Sequence, residues 1–287
     1  MPEVAADTSP HACVIGWPVA HSRSPLIHGY WLEKYDLPGR YDKQAVPPED
    51  VPAFFDAFAA NGLVGANVTV PHKELAYQLV DRRDPSAEAV RAVNTVWLED
   101  GQLVGANTDV YGFLANLDAG APGWDAGSRA AVLGAGGAAR AVLKGLIDRG
   151  FTEIRIANRT KAKAQHLADA FGPAVRPVAW EDRAAMLSGC ALLVNTTSLG
   201  MDGAPALDIG LSELPPDAVV TDIVYVPLQT ELLRAAQARG LRTVDGLGML
   251  LHQAVPGFAR WFGTRPEVTP ELRARLVADI ERDDANR

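Results

Sequence analysis

The chain has 287 residues, 48% of them hydrophobic, and its 27 Lys+Arg against 35 Asp+Glu leave a formal net charge of −8. That length exceeds the usual single domain and supplies apolar residues for one or two buried cores, while the absence of a basic block argues against a nucleic-acid partner. No run approaches the roughly 18 uninterrupted apolar residues of a membrane span, and Met1 to Pro10 is polar, with Glu3 and Asp7 where a signal peptide needs a basic and then apolar start, so a cytoplasmic protein is expected.

Short apolar runs alternate with segments of helical period, the pattern of parallel strands joined by crossover helices, so the fold class is α/β. The first strand is expected at Ala12–Gly16, followed by a loop Trp17–Ser24 and a helix from Pro25 to about Tyr35, stopped by Leu37-Pro38-Gly39. Ser24 before Pro25 has the residue types of an N-cap and first helical position. A strand Tyr41–Val46, a helix Val51–Asn61, a strand Gly65–Val70 and a helix Lys73–Leu79 come next. The register changes near Gly101–Asp109, and a domain hinge is expected around Asp109–Gly112, before the glycine-containing stretch Gly120–Gly127. Beyond it the order reads strand (Ala130–Leu133), helix (Ala138–Arg149), strand (Glu153–Ala157), helix (Lys161–Phe171), and strands at Leu192–Asn195, Val219–Ile223 and Thr243. After Asp245 the chain is helical through Trp261, and a charged helix spans Pro270–Arg282. Cys13 and Cys190 sit inside apolar runs and read as core residues rather than catalytic thiols. The six histidines form no HExxH and no Cys/His cluster at ligand spacing, so no metal is expected.

Gly134-Ala-Gly-Gly-Ala-Ala139 is a GxGxxA sequence between an expected strand and an expected helix. Gly134 permits the tight turn, Gly136 lets backbone approach a pyrophosphate, and Ala139 allows close helix–strand packing. The helix N-terminus adds free N–H groups and partial positive charge. At the end of the next strand, where an NAD site carries Asp or Glu for the ribose, this chain has Asn158-Arg159-Thr160, with Lys161 and Lys163 beyond. A guanidinium pairs with a 2′-phosphate that a carboxylate would repel, so the cofactor expected is NADP, with Arg159 its main determinant.

Three polar stretches mark the first half: Ser22-Arg-Ser-Pro25, Asn67-Val-Thr-Val-Pro-His-Lys73 and Asn107-Thr-Asp109, with Asn94-Thr95 between the last two. Ligands of open parallel sheets sit beyond the carboxyl ends of strands, where these stretches are expected to converge. Hydroxyls for a carboxylate, amides for alcohols, and one Lys with one Asp for proton handling suit a small polyhydroxylated acid. Singly, Ser24 as a cap, Asn67 and Asn94 as turn residues and Lys73 as a solvated side chain are equally ordinary.

Over about residues 12–263 the sequence resembles the shikimate dehydrogenase family. The resemblance rests on Gly16–Pro25, Gly65–Lys73, Ala92–Thr95, Gly105–Asp109, Gly134–Arg140, Asn158–Thr160, Asn195–Met201, Asp222–Tyr225 and Gly246–Gln253. It implies reversible NADPH-dependent reduction of 3-dehydroshikimate to shikimate, in the pathway to aromatic amino acids and chorismate. It also implies two α/β domains: a substrate domain with a mostly parallel sheet (1–108 plus 246–287) and a Rossmann-like NADP domain (109–245), in a monomer or homodimer. Ser22 and Ser24 are implied to bind the substrate carboxylate, and Asn67, Thr69, Asn94, Tyr225 and Gln253 to line the ring. Lys73 and Asp109 are implied as the catalytic pair. Cofactor contacts are implied at Gly134, Ala135, Gly136, Gly137, Ala138, Asn158, Arg159, Thr160, Lys163, Thr196, Gly246 and Met249.

Two departures from the family pattern stand out. Gly29 follows His28 where Asn is expected, with a bearing on helix packing, and Gln229-Thr230-Glu231 replaces a Thr-Pro pair in a loop near the hinge. Three other readings remain open: a quinate/shikimate dehydrogenase using NAD, opposed by Ser24 and Arg159; a one-carbon folate dehydrogenase, opposed by the Ser-x-Ser loop and Asn107-Thr-Asp109; and a non-catalytic NADP-binding module, opposed by the joint presence of Lys73 and Asp109.

Overall fold

The computed structural model describes residues 9–285; the polar segment 1–8, with Glu3 and Asp7, lies outside the described residues. Two compact units divide the chain, one up to Thr108 together with Ala254–Leu272, the other Asp109–Gln253 together with Arg273 onward.

The first unit is built on β1 (His11–Gly16), β2 (Arg40–Ala45), β3 (Leu63–Val68), β4 (Arg82–Arg83), β5 (Thr95–Glu99) and β6 (Gln102–Ala106), with helices α1 (Ser24–Lys34), α2 (Val51–Asp56), α3 (Lys73–Leu79) and α4 (Pro85–Val90). The sheet order is β2-β1-β3-β5-β6-β4. Only β5 runs against the others: it pairs antiparallel with β3 and with β6, while the remaining pairs are parallel. The β5–β6 hairpin, which sequence periodicity does not suggest, turns at Asp100 (φ +53) and Gly101 (φ +76), the two left-handed positions that a two-residue hairpin loop requires. β4 and α4 were likewise not expected. α4 is capped by Asp84, whose carboxylate accepts from the Ala87 amide at 2.9 Å.

Ser24 does not cap α1: the helix begins at Ser24 itself, Arg23 occupies the cap position without a side-chain cap bond, and the Ser24 hydroxyl faces that of Ser22 at 3.3 Å. Gly29 does not bear on helix packing, because it is exposed and a Cβ there would meet nothing within 4 Å. The expected helix Val51–Asn61 is also cut to Val51–Asp56, after which the chain turns through Gly62 (φ +70) into β3.

α1 buries His28 completely. Its ring stacks on Tyr41 at 4.0 Å and is flanked by Trp31, Phe258 and Trp261, and neither ring nitrogen has a hydrogen-bond partner. Burial pushes its pKa down to about 3, a shift that nearby Asn67 opposes. The unfolded chain takes up this proton below its ordinary value near 6.5, whereas the folded chain waits until about 3. The contribution to stability is therefore present above the first value and is lost as pH falls through that window. Between pH 7 and 4.5 the protein is expected to lose about 2 kcal/mol more than a His28→Phe variant in urea unfolding. Parallel losses would show that the imidazole is charged, or partnered, in the folded state.

The second unit holds α5 (Asp109–Gly120), β7 (Arg129–Leu133), α6 (Gly137–Asp148), β8 (Glu153–Ala157), α7 (Lys161–Phe171), β9 (Val175–Val178), β10 (Leu192–Asn195), β11 (Val219–Asp222), α8 (Glu231–Ala238) and β12 (Arg242–Val244). All its strand pairs are parallel, in the order β12-β11-β10-β7-β8-β9. This is the doubly wound order of a Rossmann sheet, with the strand order reversing between β7 and β10. β9 was not expected; it contains Pro177 and lies at the sheet edge, where a missing N–H costs no ladder bond. Both faces are covered by apolar layers, one centred on Val132, Leu143 and Ile156, the other on Leu133, Leu193 and Val220.

The helices α9 (Leu247–Phe262) and α10 (Pro270–Ala285) each pass from one unit's contacts to the other's. By contacts the second unit extends to Gln253, the first resumes at Ala254, and α10 groups with the second from Arg273. The cause is packing of α5 on the start of α9: a Cβ at Gly112 would come within 2.7 Å of the Met249 carbonyl, and one at Gly248 within 1.8 Å of Asn116 Oδ1. The expected hinge at Asp109–Gly112 is accordingly the first turn of a helix. Cys13 and Cys190 are both fully buried, and burial pushes both thiols up, away from the thiolate form a nucleophile needs. Among the described residues no helix is long and apolar enough to cross a membrane.

Candidate active site

In the first unit the register places three polar segments on one edge of the sheet. Asn67 near the end of β3 pairs with Thr95 at the start of β5, which pairs with Ala106 at the end of β6. Because β5 is reversed, its amino end lies beside the carboxyl ends of its neighbours, so Asn94, Asn107 and Thr108 gather where β1 and β3 also finish. Asn67 Nδ2 donates to the Asn94 carbonyl at 3.2 Å and to Thr95 Oγ1 at 3.3 Å. Asn94 Oδ1 accepts from the Thr108 amide at 2.7 Å, and Thr95 Oγ1 meets Thr108 Oγ1 at 3.1 Å. On the other side, Tyr41 OH donates to Asn67 Oδ1 at 2.6 Å. Burial raises the Tyr41 phenol well above its ordinary range, and the Ser24 hydroxyl opposes that shift.

A continuous line of hydroxyls and amides therefore runs Ser22, Ser24, Tyr41, Asn67, Thr95, Thr108, and all but Ser22 are buried. Buried polar groups at this density must satisfy one another, which fixes their orientation. Tyr41 was not singled out from the sequence: it reads there as a strand residue, and only the parallel register Ala12↔Tyr41 brings it to the row. Thr69 is half-buried just past β3, its amide bonded to the Ile15 carbonyl at 2.9 Å. Lys73 is the first residue of α3 and half-buried; its carbonyl accepts from the Val93 amide at 2.9 Å, which ties it to the residue preceding Asn94. Behind it, buried His72 holds the Val46 carbonyl at 2.7 Å.

In the second unit the glycine turn follows β7. Gly134 has φ +101, and a Cβ there would lie 2.6 Å from Thr196 Oγ1, so a side chain is refused both by backbone and by space. Gly136 and Gly137, by contrast, have nothing within 4 Å of a hypothetical Cβ. α6 starts there without a side-chain cap, leaving its first N–H groups open toward that space. These features fit a bound pyrophosphate. At the end of β8, Asn158 Nδ2 donates to the Thr160 carbonyl at 2.9 Å, closing the loop that presents Arg159. Arg159, Lys161 and Lys163 are exposed. Thr196 is buried, its hydroxyl donating to the Leu133 carbonyl at 2.7 Å.

Asp109 opens α5 and is buried at 8% exposure. Tyr225 is half-buried in the loop after β11, and Gly246 precedes α9. Met249 is half-buried, and Gln253 Nε2 donates to the Leu250 carbonyl at 3.0 Å. The sequence-expected residues thus fall in two groups: Ser22, Ser24, Asn67, Thr69, Lys73 and Asn94 in the first unit, and Asp109, Tyr225, Gln253 and the cofactor residues in the second.

Family models match three stretches of the chain: the shikimate dehydrogenase substrate binding domain over residues 14–96, shikimate / quinate 5-dehydrogenase over 123–200, and the shikimate 5′-dehydrogenase C-terminal domain over 246–270. A shikimate dehydrogenase (NADP(+)) of Azorhizobium caulinodans is 59% identical over 268 residues, 93% of this chain and 95% of its own length. One of Rhodopseudomonas palustris is 60% identical over 269 residues, 94% and 96% respectively. Among solved structures, the shikimate 5-dehydrogenase of Thermus thermophilus in complex with NADP(H) and shikimate is similar at a TM-score of 0.84 and 37% identity, covering 94% of this chain and 99% of that one. The quinate dehydrogenase of Corynebacterium glutamicum in complex with NAD is similar at 0.87 and 31%, with the same coverage.

Proposed function

The chain belongs to the shikimate dehydrogenase family, and on that premise we propose how its residues divide the work of reducing 3-dehydroshikimate to shikimate. It is an NADP-dependent oxidoreductase acting on a CH–OH group, in the route to chorismate and the aromatic amino acids. When bound, NADPH supplies the hydride that reduces the C3 carbonyl, and NADP⁺ accepts it in the reverse direction.

Ser22 and Ser24 take the substrate carboxylate, and Asn67, Thr69, Asn94, Tyr225 and Gln253 take the ring and its hydroxyls. Lys73, as an ammonium, donates the proton that reaches the C3 oxygen and stabilises the negative charge forming there, while Asp109 orients both Lys73 and the hydroxyl. The cofactor is held by Gly134, Ala135, Gly136, Gly137 and Ala138 at the pyrophosphate, and by Asn158, Arg159, Thr160 and Lys163 at the 2′-phosphate. Thr196, Gly246 and Met249 would complete the cofactor contacts. The protein works in the cytoplasm as a monomer or homodimer, on a small-molecule substrate and without nucleic acid or membrane as partner.

The observation that carries this reading is the buried hydroxyl–amide row on the sheet edge of the first unit, which offers a small polyol acid many oriented donors and acceptors. Purified protein tested with shikimate or quinate against NADP⁺ or NAD⁺ is expected to show strong activity only with shikimate and NADP⁺. Comparable turnover of quinate with NAD⁺ would move the protein to the broader quinate-oxidising group, and inactivity with all four pairs would overturn the reading.

A further inference from the structure

Asp222 ends β11 with no exposed surface. Its Oδ1 accepts from Asn195 Nδ2 at 2.9 Å and from the Val224 amide at 3.0 Å, and its Oδ2 accepts from Thr230 Oγ1 at 2.8 Å. Thr230, one of the three residues of the sequence departure at Gln229-Thr230-Glu231, is the cap of α8 and therefore reaches well beyond the loop it was expected to affect.

Each donor belongs to a different segment. Asn195 passes the connection on: its Oδ1 accepts from the Thr197 amide at 3.0 Å and the Thr197 hydroxyl at 2.7 Å, and Thr197 Oγ1 accepts from the Leu199 amide at 3.1 Å. Thr196 and Thr197 are the residues that pack against the Gly134 turn, since a Cβ on Gly134 would touch Thr196 Oγ1 at 2.6 Å and Thr197 Cγ2 at 3.0 Å. On the other side, the segment anchored by the Val224 amide packs against Gly246, where a Cβ would lie 2.3 Å from the Ile223 carbonyl oxygen. One carboxylate thus sets the loop behind the glycine turn and the loop that carries Tyr225.

We propose that Asp222 is a positioning residue: through Asn195 and the Val224 amide it fixes the two loops between which the nicotinamide half of the cofactor is oriented. This rests on the functional reading given above, and it assigns a role in binding to a residue that touches neither cofactor nor substrate. Burial pushes the carboxyl up to about 6 despite three donors. Holding a charge in this place therefore opposes folding above that pH, which argues for a use other than stability. Three donors converging on two oxygens are met by few other groups. Asparagine retains the oxygen that serves Asn195 and Val224 and gives up only the acceptor facing Thr230, whereas alanine removes all three bonds.

The test compares Asp222→Ala, Asp222→Asn and Thr197→Val with the unaltered chain, by amide hydrogen exchange without nucleotide and by NADP⁺ titration followed through protein fluorescence. Asp222→Ala is expected to speed exchange at residues 133–137, 195–201 and 223–227 and to weaken NADP⁺ binding at least about tenfold, while Asp222→Asn stays within about threefold. Thr197→Val, which cuts the relay at a half-buried position and leaves the core intact, is expected to show the same exchange change confined to 133–137 and 195–201. Faster exchange limited to α8, or equal losses in the Ala and Asn variants, would make Asp222 a merely structural anchor and overturn the proposal. Exchange is read without substrate or cofactor, so a failure of the functional reading would appear separately, as absent turnover in the unaltered chain.

Discussion

Lys73→Ala is expected to lower kcat for shikimate oxidation by about 10²–10⁴-fold and to move KM by less than about threefold. The backbone that carries this side chain is firmly placed. α3 begins at Lys73, the His72 ring behind it is anchored on the Val46 carbonyl at 2.7 Å, and the Lys73 carbonyl is tied to the Val93 amide at 2.9 Å. Alanine keeps all of these bonds and is a better helix former, so stability should change little and the loss can be read as chemistry. A proton transfer and the neutralisation of a forming alkoxide act mainly in the transition state, which is why kcat carries the effect. Lys73→Arg retains the charge but presents a wider, far less acidic donor, and a recovery of less than about tenfold over alanine is expected. A large rise in KM with unchanged kcat would make Lys73 a binding residue and return the proton to Asp109.

The features legible in the sequence are those written in local backbone demands. The glycine turn could be read because Gly134 needs φ +101 and empty space on its Cβ side, conditions that only glycine meets. α3, α7, β8 and β10 were expected at the bounds they have, since stretches such as Lys161–Phe171 announce their ends by residue type. The hairpin does not emerge from that reading although Asp100-Gly101 is a strong two-residue turn signal, because Gly101–Asp109 reads as a register change and Thr95–Glu99 is not recognised as a strand to pair with Gln102–Ala106. That omission hid why Asn94 belongs with Asn67: the two share a sheet edge only if β5 runs backwards. Tyr41 and Asp222 were illegible for another reason. Their roles arise from pairing across the sheets, Tyr41 beside Ala12 and Asp222 beside Asn195, and no local pattern encodes a partner so distant in sequence.

Arg159→Asp is expected to reduce kcat/KM for NADP⁺ about 100-fold or more while that for NAD⁺ holds or rises, moving the cofactor preference by two orders of magnitude or beyond. Arg159, Lys161 and Lys163 form no ion pair with a carboxylate among the described residues, and all are exposed. Two of them sit in the first turn of α7, a turn with no acidic residue, at a helix end with no side-chain cap. Lysines there face the positive end of the helix dipole, an arrangement that costs stability in the absence of an anion and is relieved by a phosphate. A charge-assisted bond between guanidinium and phosphate contributes about 1.5–3 kcal/mol, and aspartate replaces that attraction with repulsion. For NAD⁺ the sign reverses, since a carboxylate at the end of β8 can accept from the ribose hydroxyl that the phosphate otherwise occupies. The loop itself should survive, because the bond that closes it runs from Asn158 to the Thr160 carbonyl and leaves the Arg159 side chain uninvolved. Steady-state kinetics with both cofactors would decide. A loss below about threefold with NADP⁺ would show that Arg159 is not the determinant and place the 2′-phosphate on Lys163, in the first turn of α7.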